Sequence, residues 1–266
     1  GLGEKETCMN ILFIGDIAGR CGRTAVAENV YQLREKYDID FCIANCENAA
    51  GGFGITYDTA SELVRGGCDA FTTGNHVFSK RDIIKLFDEN EFDIIRPYNL
   101  PKNDPGHGYM ICTLKNGEKV AVVNLLGRLY SELPVSSAFD AADDALSKLE
   151  GKVNHIVVDI HAEATSEKRA LGYYLDGRVT AVLGTHTHVQ TADEMILPNG
   201  TAYITDVGMC SAKHSVLGAE IKLAISRFRS AVPSKFQSAE GERQFNAVVI
   251  ETGEGIKAKK IFRINL

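Results

Sequence analysis

Val182-Leu183-Gly184-Thr185-His186-Thr187-His188 places two histidines two residues apart, directly after an apolar run. On a strand or an extended turn, positions i and i+2 project to the same side. Two imidazoles then face one point, which suits one metal ion or two adjacent ones. Alone this signal is weak. It gains weight because four earlier apolar runs end in the same way. Asn10-Ile11-Leu12-Phe13-Ile14 leads into Gly15-Asp16, Phe41-Cys42-Ile43-Ala44 into Asn45-Cys46-Glu47-Asn48, and Ala70-Phe71-Thr72-Thr73 into Gly74-Asn75-His76. Residues 155–160 lead into His161. Each run is short and continuous, as buried strands are.

Helical spacing fills the intervals. It covers residues 23–36, with Ala25, Val26, Val30 and Leu33 on one side, and residues 58–65. Ser79-x-x-Asp82 and Ser137-x-x-Asp140 read as capping boxes opening helices to residues 87 and 149, and a further helix covers residues 166–175. Strand alternating with helix predicts an α/β sheet, whose ligands bind beyond the carboxyl ends of the strands. Asn116-Gly117 between residues 109–114 and 119–125 predicts a hairpin, so part of the sheet is antiparallel. Further strands are expected over residues 179–183, 201–205, 246–250 and 258–264. Residues 227–241 read as a surface connection. Residues 1–8 lack an apolar core and are expected to be a disordered leader or an expression remnant, with residues 9–266 forming a single domain.

Composition narrows the function. The chain has 266 residues, 44% apolar and 24% charged, as soluble globular proteins do. Its net charge is −6 and no stretch clusters Lys or Arg, which disfavours a long nucleic acid as partner. A small anionic substrate would need a local positive centre, such as a metal. No apolar run approaches the ~18 residues of a membrane span. Seven cysteines without a C-x-x-C pair read as reduced thiols of a cytoplasmic protein, not as a zinc ribbon. The glycines of residues 15–22 depart from both the dinucleotide and the Walker A spacing.

The strand-end set is therefore Asp16, Glu47, Asn48, Asn75, His76, His161, His186 and His188. Singly, each has an ordinary reading: Asp16 as a turn former, Asn75 as a left-handed turn residue, His161 as a core histidine. Five strand ends sharing that excuse is improbable. Carboxylate, amide and imidazole without thiolate suit manganese, iron or zinc. The set is too large for one ion and large enough for two that share a bridging carboxylate. Asp159 and Glu163 alternate with His161 and are candidates to orient it or His76; His214 is a candidate pocket residue.

Gly15-Asp16, Gly74-Asn75-His76 and Gly184-Thr185-His186-Thr187-His188 resemble the motif series of the calcineurin-like metallophosphoesterases. Two departures, Ala18 in place of a histidine and Glu47-Asn48 in place of an aspartate, are similar to the YmdB-like branch of that superfamily. So are Asn45-Cys46-Glu47-Asn48, the stretch from His161 to Lys168, and Thr205-Asp206-Val207-Gly208-Met209. The resemblance implies a four-layer α-β-β-α sandwich with mixed sheets. It implies two divalent or trivalent metal ions, iron or manganese first and zinc next. Asp16, Glu47, Asn48 and His188 would hold one ion; Glu47, Asn75, His161 and His186 would hold the other. It implies a phosphoric diester hydrolase for small phosphodiesters, 2′,3′-cyclic nucleotides above all. A hydroxide bridging the ions would attack phosphorus and His76 would protonate the leaving oxygen as catalytic acid. The alternatives are a phosphomonoesterase or nuclease on the same site, or a regulatory protein on a metal-binding scaffold. Partners would be the small diester or short RNA ends, no membrane, and a second copy of the chain.

Overall fold

The computed structural model describes residues 8–266; the expected leader, Cys8 apart, lies outside the described residues. A five-stranded sheet runs in the order Ala258–Asn265, Asn246–Thr252, Asn10–Ile14, Phe41–Asn45, Ala70–Thr72. Its last three strands are parallel and the first two antiparallel to their neighbours. A six-stranded sheet runs Tyr109–Thr113, Lys119–Leu126, His155–His161, Ala181–Thr185, Ala202–Ile204, Met195–Ile196. Its four central strands are parallel, and both edges are antiparallel. The Asn116-Gly117 hairpin is one of those edges, pairing Thr113 with Lys119.

Alternation along the strands builds the layers. Ile11 and Phe13 pack with Val122, Val157 and Leu183 of the other sheet. Leu12 and Ile14 pack with Ala25, Val26 and Val30 of helix Gly19–Lys36, and helices Tyr57–Arg65 and Asp82–Glu89 share that layer. Val158, Ile160 and Val182 turn to helices Ala138–Leu149 and Thr165–Leu175. The result is the α-β-β-α sandwich with mixed sheets. Continuous apolar runs are explained by it, because each central strand is covered on both faces. Each fully buried side chain such as Phe13 contributes roughly 1.5–3 kcal/mol.

Three details differ from the sequence reading. The first helix begins at Gly19, not at residue 23, because Gly22 lets its opening turn lie against the Cys210 carbonyl; a Cβ there would sit 2.3 Å from that oxygen. Ser79 caps nothing: the helix starts at Asp82 after Arg81, and the Ser79 hydroxyl lies 3.5 Å from His76 Nδ1. A third sheet of two- to four-residue strands, Arg243–Gln244, Met209–Ala212 and Asp16–Ile17, went unseen, as did helix Ile221–Arg229. Among the described residues no helix is long and apolar enough to cross a membrane.

Candidate metal centre

The parallel strands of both sheets end at one edge of the sandwich. Asp16 follows Asn10–Ile14; Glu47 and Asn48 follow Phe41–Asn45; Asn75 and His76 follow Ala70–Thr72. His161 closes its strand, and His186 and His188 follow Ala181–Thr185. All but His76 converge there, and Glu47, His161 and His186 present ligand atoms within 4.8 Å of one another.

Hydrogen bonds fix which nitrogen of each imidazole faces the centre. Thr185 spends its hydroxyl proton on Asp159 at 2.6 Å, so it accepts from His161 Nδ1 at 2.8 Å. His161 Nε2 is then the free nitrogen. His186 Nε2 lies 2.9 Å from the Glu163 carboxylate and donates to it, which frees Nδ1. His188 Nδ1 donates to the Leu217 carbonyl at 3.0 Å, which frees Nε2. Such outer bonds are what orient metal-ligating histidines. Glu163 thus orients His186. Asp159 acts on His161 through Thr185, and accepts as well from Thr72 and Asn45, so that both its oxygens are engaged.

The free atoms crowd together. His161 Nε2 lies 2.9 Å from Glu47 Oε1, 2.9 Å from Asn75 Oδ1 and 3.1 Å from His186 Nδ1. Four lone-pair donors meet, and one proton cannot serve them all. Alongside, Asp16 Oδ1 and His188 Nε2 are 3.8 Å apart. Asn48 Nδ2 lies 3.3 Å from both His188 Nε2 and Glu47 Oε1. Asp16 Oδ1 and Asn48 Oδ1 are buried without a hydrogen-bond partner among the described residues. Buried acceptors left unpaired are unfavourable unless a cation meets them. Gly74 adjoins this crowd so closely that a Cβ would lie 2.4 Å from His161 Nε2 and 2.5 Å from Glu47 Oε2. The donor set therefore fits metal ions.

The electrostatics agree. Burial pushes the Glu47 carboxyl up, but the charge and hydrogen bond of His161 outweigh it and hold the group at about 2. Burial pushes His161 down, but Glu47 and then Asp16 lift it to about 9. Burial, reinforced by His161, pushes His186 down to about 3. Asp16 is raised, chiefly by burial. Cys46, beside Glu47, is buried in the helix-side core, and burial lifts its thiol well above the usual range.

The model of the YmdB-like protein family matches residues 12–264. The chain belongs to that family. It is 46% identical over 257 residues to the 2′,3′-cyclic-nucleotide 2′-phosphodiesterase of Bacillus subtilis (strain 168), covering 96% of each chain. A protein of Thermus thermophilus described as hypothetical superposes with a TM-score of 0.90 at 38% identity, over 97% of this chain and 99% of that one. A crystal structure titled as a novel phosphatase of Mycoplasma pneumoniae gives 0.90 at 33% identity, over 97% and 93%. The YmdB-like family is metal-dependent, and the donor set of this chain is of the matching kind.

Around the centre lie residues that the sequence reading left out. Asp206 Oδ2 accepts from the Thr187 amide at 2.9 Å and the Thr187 hydroxyl at 2.7 Å, and from the fully buried Lys168 ammonium at 2.9 Å. Thr187 sits between His186 and His188, whose φ angles are +101° and +68°. Left-handed backbone at two histidines is strain held by this anchor. A signal existed: Lys168 shares the buried helix face of Leu171, Gly172 and Leu175. His76 stands apart from the four converging donors. Its amide donates to Glu47 Oε2 at 2.9 Å, and its ring meets Phe53 edge-on, with centroids 4.9 Å apart. Phe53 in turn meets Phe236, so the 227–241 segment reaches the site and is more than a surface connection. His214 is exposed and faces Glu242 at 3.6 Å, away from the centre.

Proposed function

We propose that this chain is a dinuclear metal-dependent phosphodiesterase that opens small cyclic diesters, 2′,3′-cyclic nucleotides first among them, free or at short RNA ends. The observation that carries this reading is the convergence of Glu47, Asn75 and His186 lone pairs on His161 Nε2 within 3.1 Å. Asp16, Glu47, Asn48 and His188 would hold one ion, and Glu47, Asn75, His161 and His186 the other, iron or manganese by donor type. When bound, such ions acidify water and neutralise charge on the phosphoryl oxygens.

The chain's own residues do the rest. Leu217 holds His188, Asp206 holds Thr187 between the two histidines, Glu163 holds His186, and Thr185 holds His161, so the donors need no reorganisation. His76 lines the same cavity without joining the donor cluster. It is placed to give a proton to the oxygen that leaves phosphorus. In a 2′,3′-cyclic ester, water adds to phosphorus and the bond to O2′ breaks. O2′ takes its proton from His76, and a 3′-monophosphate remains. The 46% identity to a protein named for this 2′ specificity supports that direction.

The test is direct. Purified protein is analysed for metal and assayed on 2′,3′-cyclic AMP and on a phosphomonoester, with Asn75→Ala as the metal-site control. Diester turnover that follows metal content is expected. His76→Ala should keep its metal and lose about 10²–10⁴-fold in turnover of the cyclic nucleotide, the usual worth of a general acid. It should lose far less with a p-nitrophenolate leaving group, which needs no proton. Full activity of that variant on the cyclic nucleotide would remove His76 from the mechanism.

A further inference from the structure

The cavity at the centre has a volume of about 410 Å³, within the roughly 300–1,000 Å³ of small-molecule sites. Asn75, His161 and His186 line it together with Leu129, Tyr130 and Leu133. Tyr130 is 84% exposed, and among the described residues its side chain makes no hydrogen bond, ion pair or ring contact. Its φ is +63°, a left-handed conformation unusual for a bulky residue. An unpartnered aromatic ring on a strained backbone beside a reactive centre calls for a ligand.

The ring is also tied to the centre. Gly127 donates its amide to the His161 carbonyl at 2.9 Å. The amides of Arg128 and Leu129 donate to the two Glu167 oxygens at 2.7 and 3.1 Å. The turn carrying Tyr130 is therefore fixed to the strand that ends in a metal ligand. Apart from histidines, the charged side chains lining the cavity among the described residues are Glu132 and Glu163, with no Lys or Arg. A second phosphate would be repelled here. A neutral heterocycle with N–H donors fits: a flat face for the tyrosine and donors for the carboxylates.

Resting on the phosphodiesterase reading, we infer that Tyr130 is the nucleobase platform of this site. Its ring stacks on the base of a nucleoside diester whose phosphate lies at the centre, and this sets the preference for nucleotides over base-free diesters. Every base offers a π-face, so the preference among bases is weak.

The chain contains no tryptophan, which supplies a clean probe. In the metal-loaded Tyr130→Trp protein, 3′-AMP quenches the single indole emission and ribose 3-phosphate does not. Kinetically, the reading is the ratio of kcat/KM for 2′,3′-cyclic AMP to that for glycerol 1,2-cyclic phosphate. Tyr130→Ala and Tyr130→Gly lower this ratio about 5- to 150-fold, the range seen when stacking aromatics are removed. Tyr130→Phe keeps it. Tyr130→Gly also keeps or raises the melting temperature, since glycine relaxes the left-handed backbone. An unchanged ratio, or equal loss on both substrates with a lowered melting temperature, overturns the platform. If the wild-type protein hydrolyses neither substrate, the phosphodiesterase reading fails instead. If it hydrolyses both while 3′-AMP leaves the indole emission unchanged, only the platform fails.

Discussion

Lys168→Met tests whether the residues from Gly184 to His188 form a clamp under strain. His186 and His188 adopt φ of +101° and +68°. At about 1–2 kcal/mol for each left-handed non-glycine residue, the clamp stores roughly 2–4 kcal/mol. Asp206 opposes it through two bonds from Thr187. Bonds to a charged acceptor contribute about 1.5–3 kcal/mol each, so the anchor is worth roughly 3–6 kcal/mol. The anchor exceeds the strain because its acceptor is a carboxylate. Asp206 and Lys168 are both fully buried, 2.9 Å apart, so each charge compensates the other. Removing one partner of a buried pair costs about 3–5 kcal/mol. In urea titrations of the metal-free protein followed by circular dichroism, Lys168→Met should lose about that much unfolding free energy. Its metal content should fall too, because His186 and His188 lose their fixed orientation. The double change Lys168→Met with Asp206→Asn should recover stability, since no bare charge stays buried. A single variant within about 1 kcal/mol of wild type, with full metal content, would refute the clamp.

Gly74→Ala should abolish metal binding while the far-UV spectrum stays native, since the added methyl would fall 2.4 Å from His161 Nε2 and 2.5 Å from Glu47 Oε2; metal analysis showing wild-type stoichiometry would count against the assigned donors. The metal-free protein should also lose stability as pH rises. His161 is lifted to about 9 despite burial, chiefly by Glu47, so its contribution is complete below its ordinary value of 6.5 and disappears through pH 9. His155 and His186, both pushed down by burial, are already neutral in that window. Melting temperatures in chelator should therefore fall from pH 6.5 to 9. With manganese they should instead hold or rise, because metal needs the neutral imidazole. A metal-free protein that grows more stable over that range would contradict the Glu47–His161 pairing.

Most of the fold was legible because buried parallel strands leave continuous apolar runs, and each run here stops at a polar residue. The layer order came with the resemblance, since a run buried on both faces does not say what covers either. The third sheet left no run to read. Its strands of two to four residues exist because Asp16 and Ile17 pair with Met209 and Cys210, nearly two hundred positions away. Helix Ile221–Arg229 buries only Ala224, while Ile221, Ile225 and Phe228 stay exposed, so its pattern misleads. Tyr130 left no trace, because its exposure and φ are products of the turn.

The candidate site shows where strand-end reasoning stops. Asp159 lies in a strand, Asp206 follows one, and both are as buried as Asp16. By position alone all three are equal candidates. What separates them is how many donors they meet. Asp159 accepts from Thr72, Thr185 and Asn45, and Asp206 from Lys168, Thr187 and the Gly208 amide. Asp16 keeps Oδ1 bare, as Asn48 does its own oxygen. A carboxylate whose two oxygens both already accept hydrogen bonds is better placed to support a cation's ligands than to meet the cation itself. Counting donors sets Asp159 and Asp206 apart as supports for their neighbours and leaves Asp16 as the one of the three with a bare oxygen, as the proposed metal site requires. That count depends on partners 114 and 170 positions apart in sequence, such as Asn45 with Asp159 and Asp16 with the His186 amide, which only the folded chain brings together.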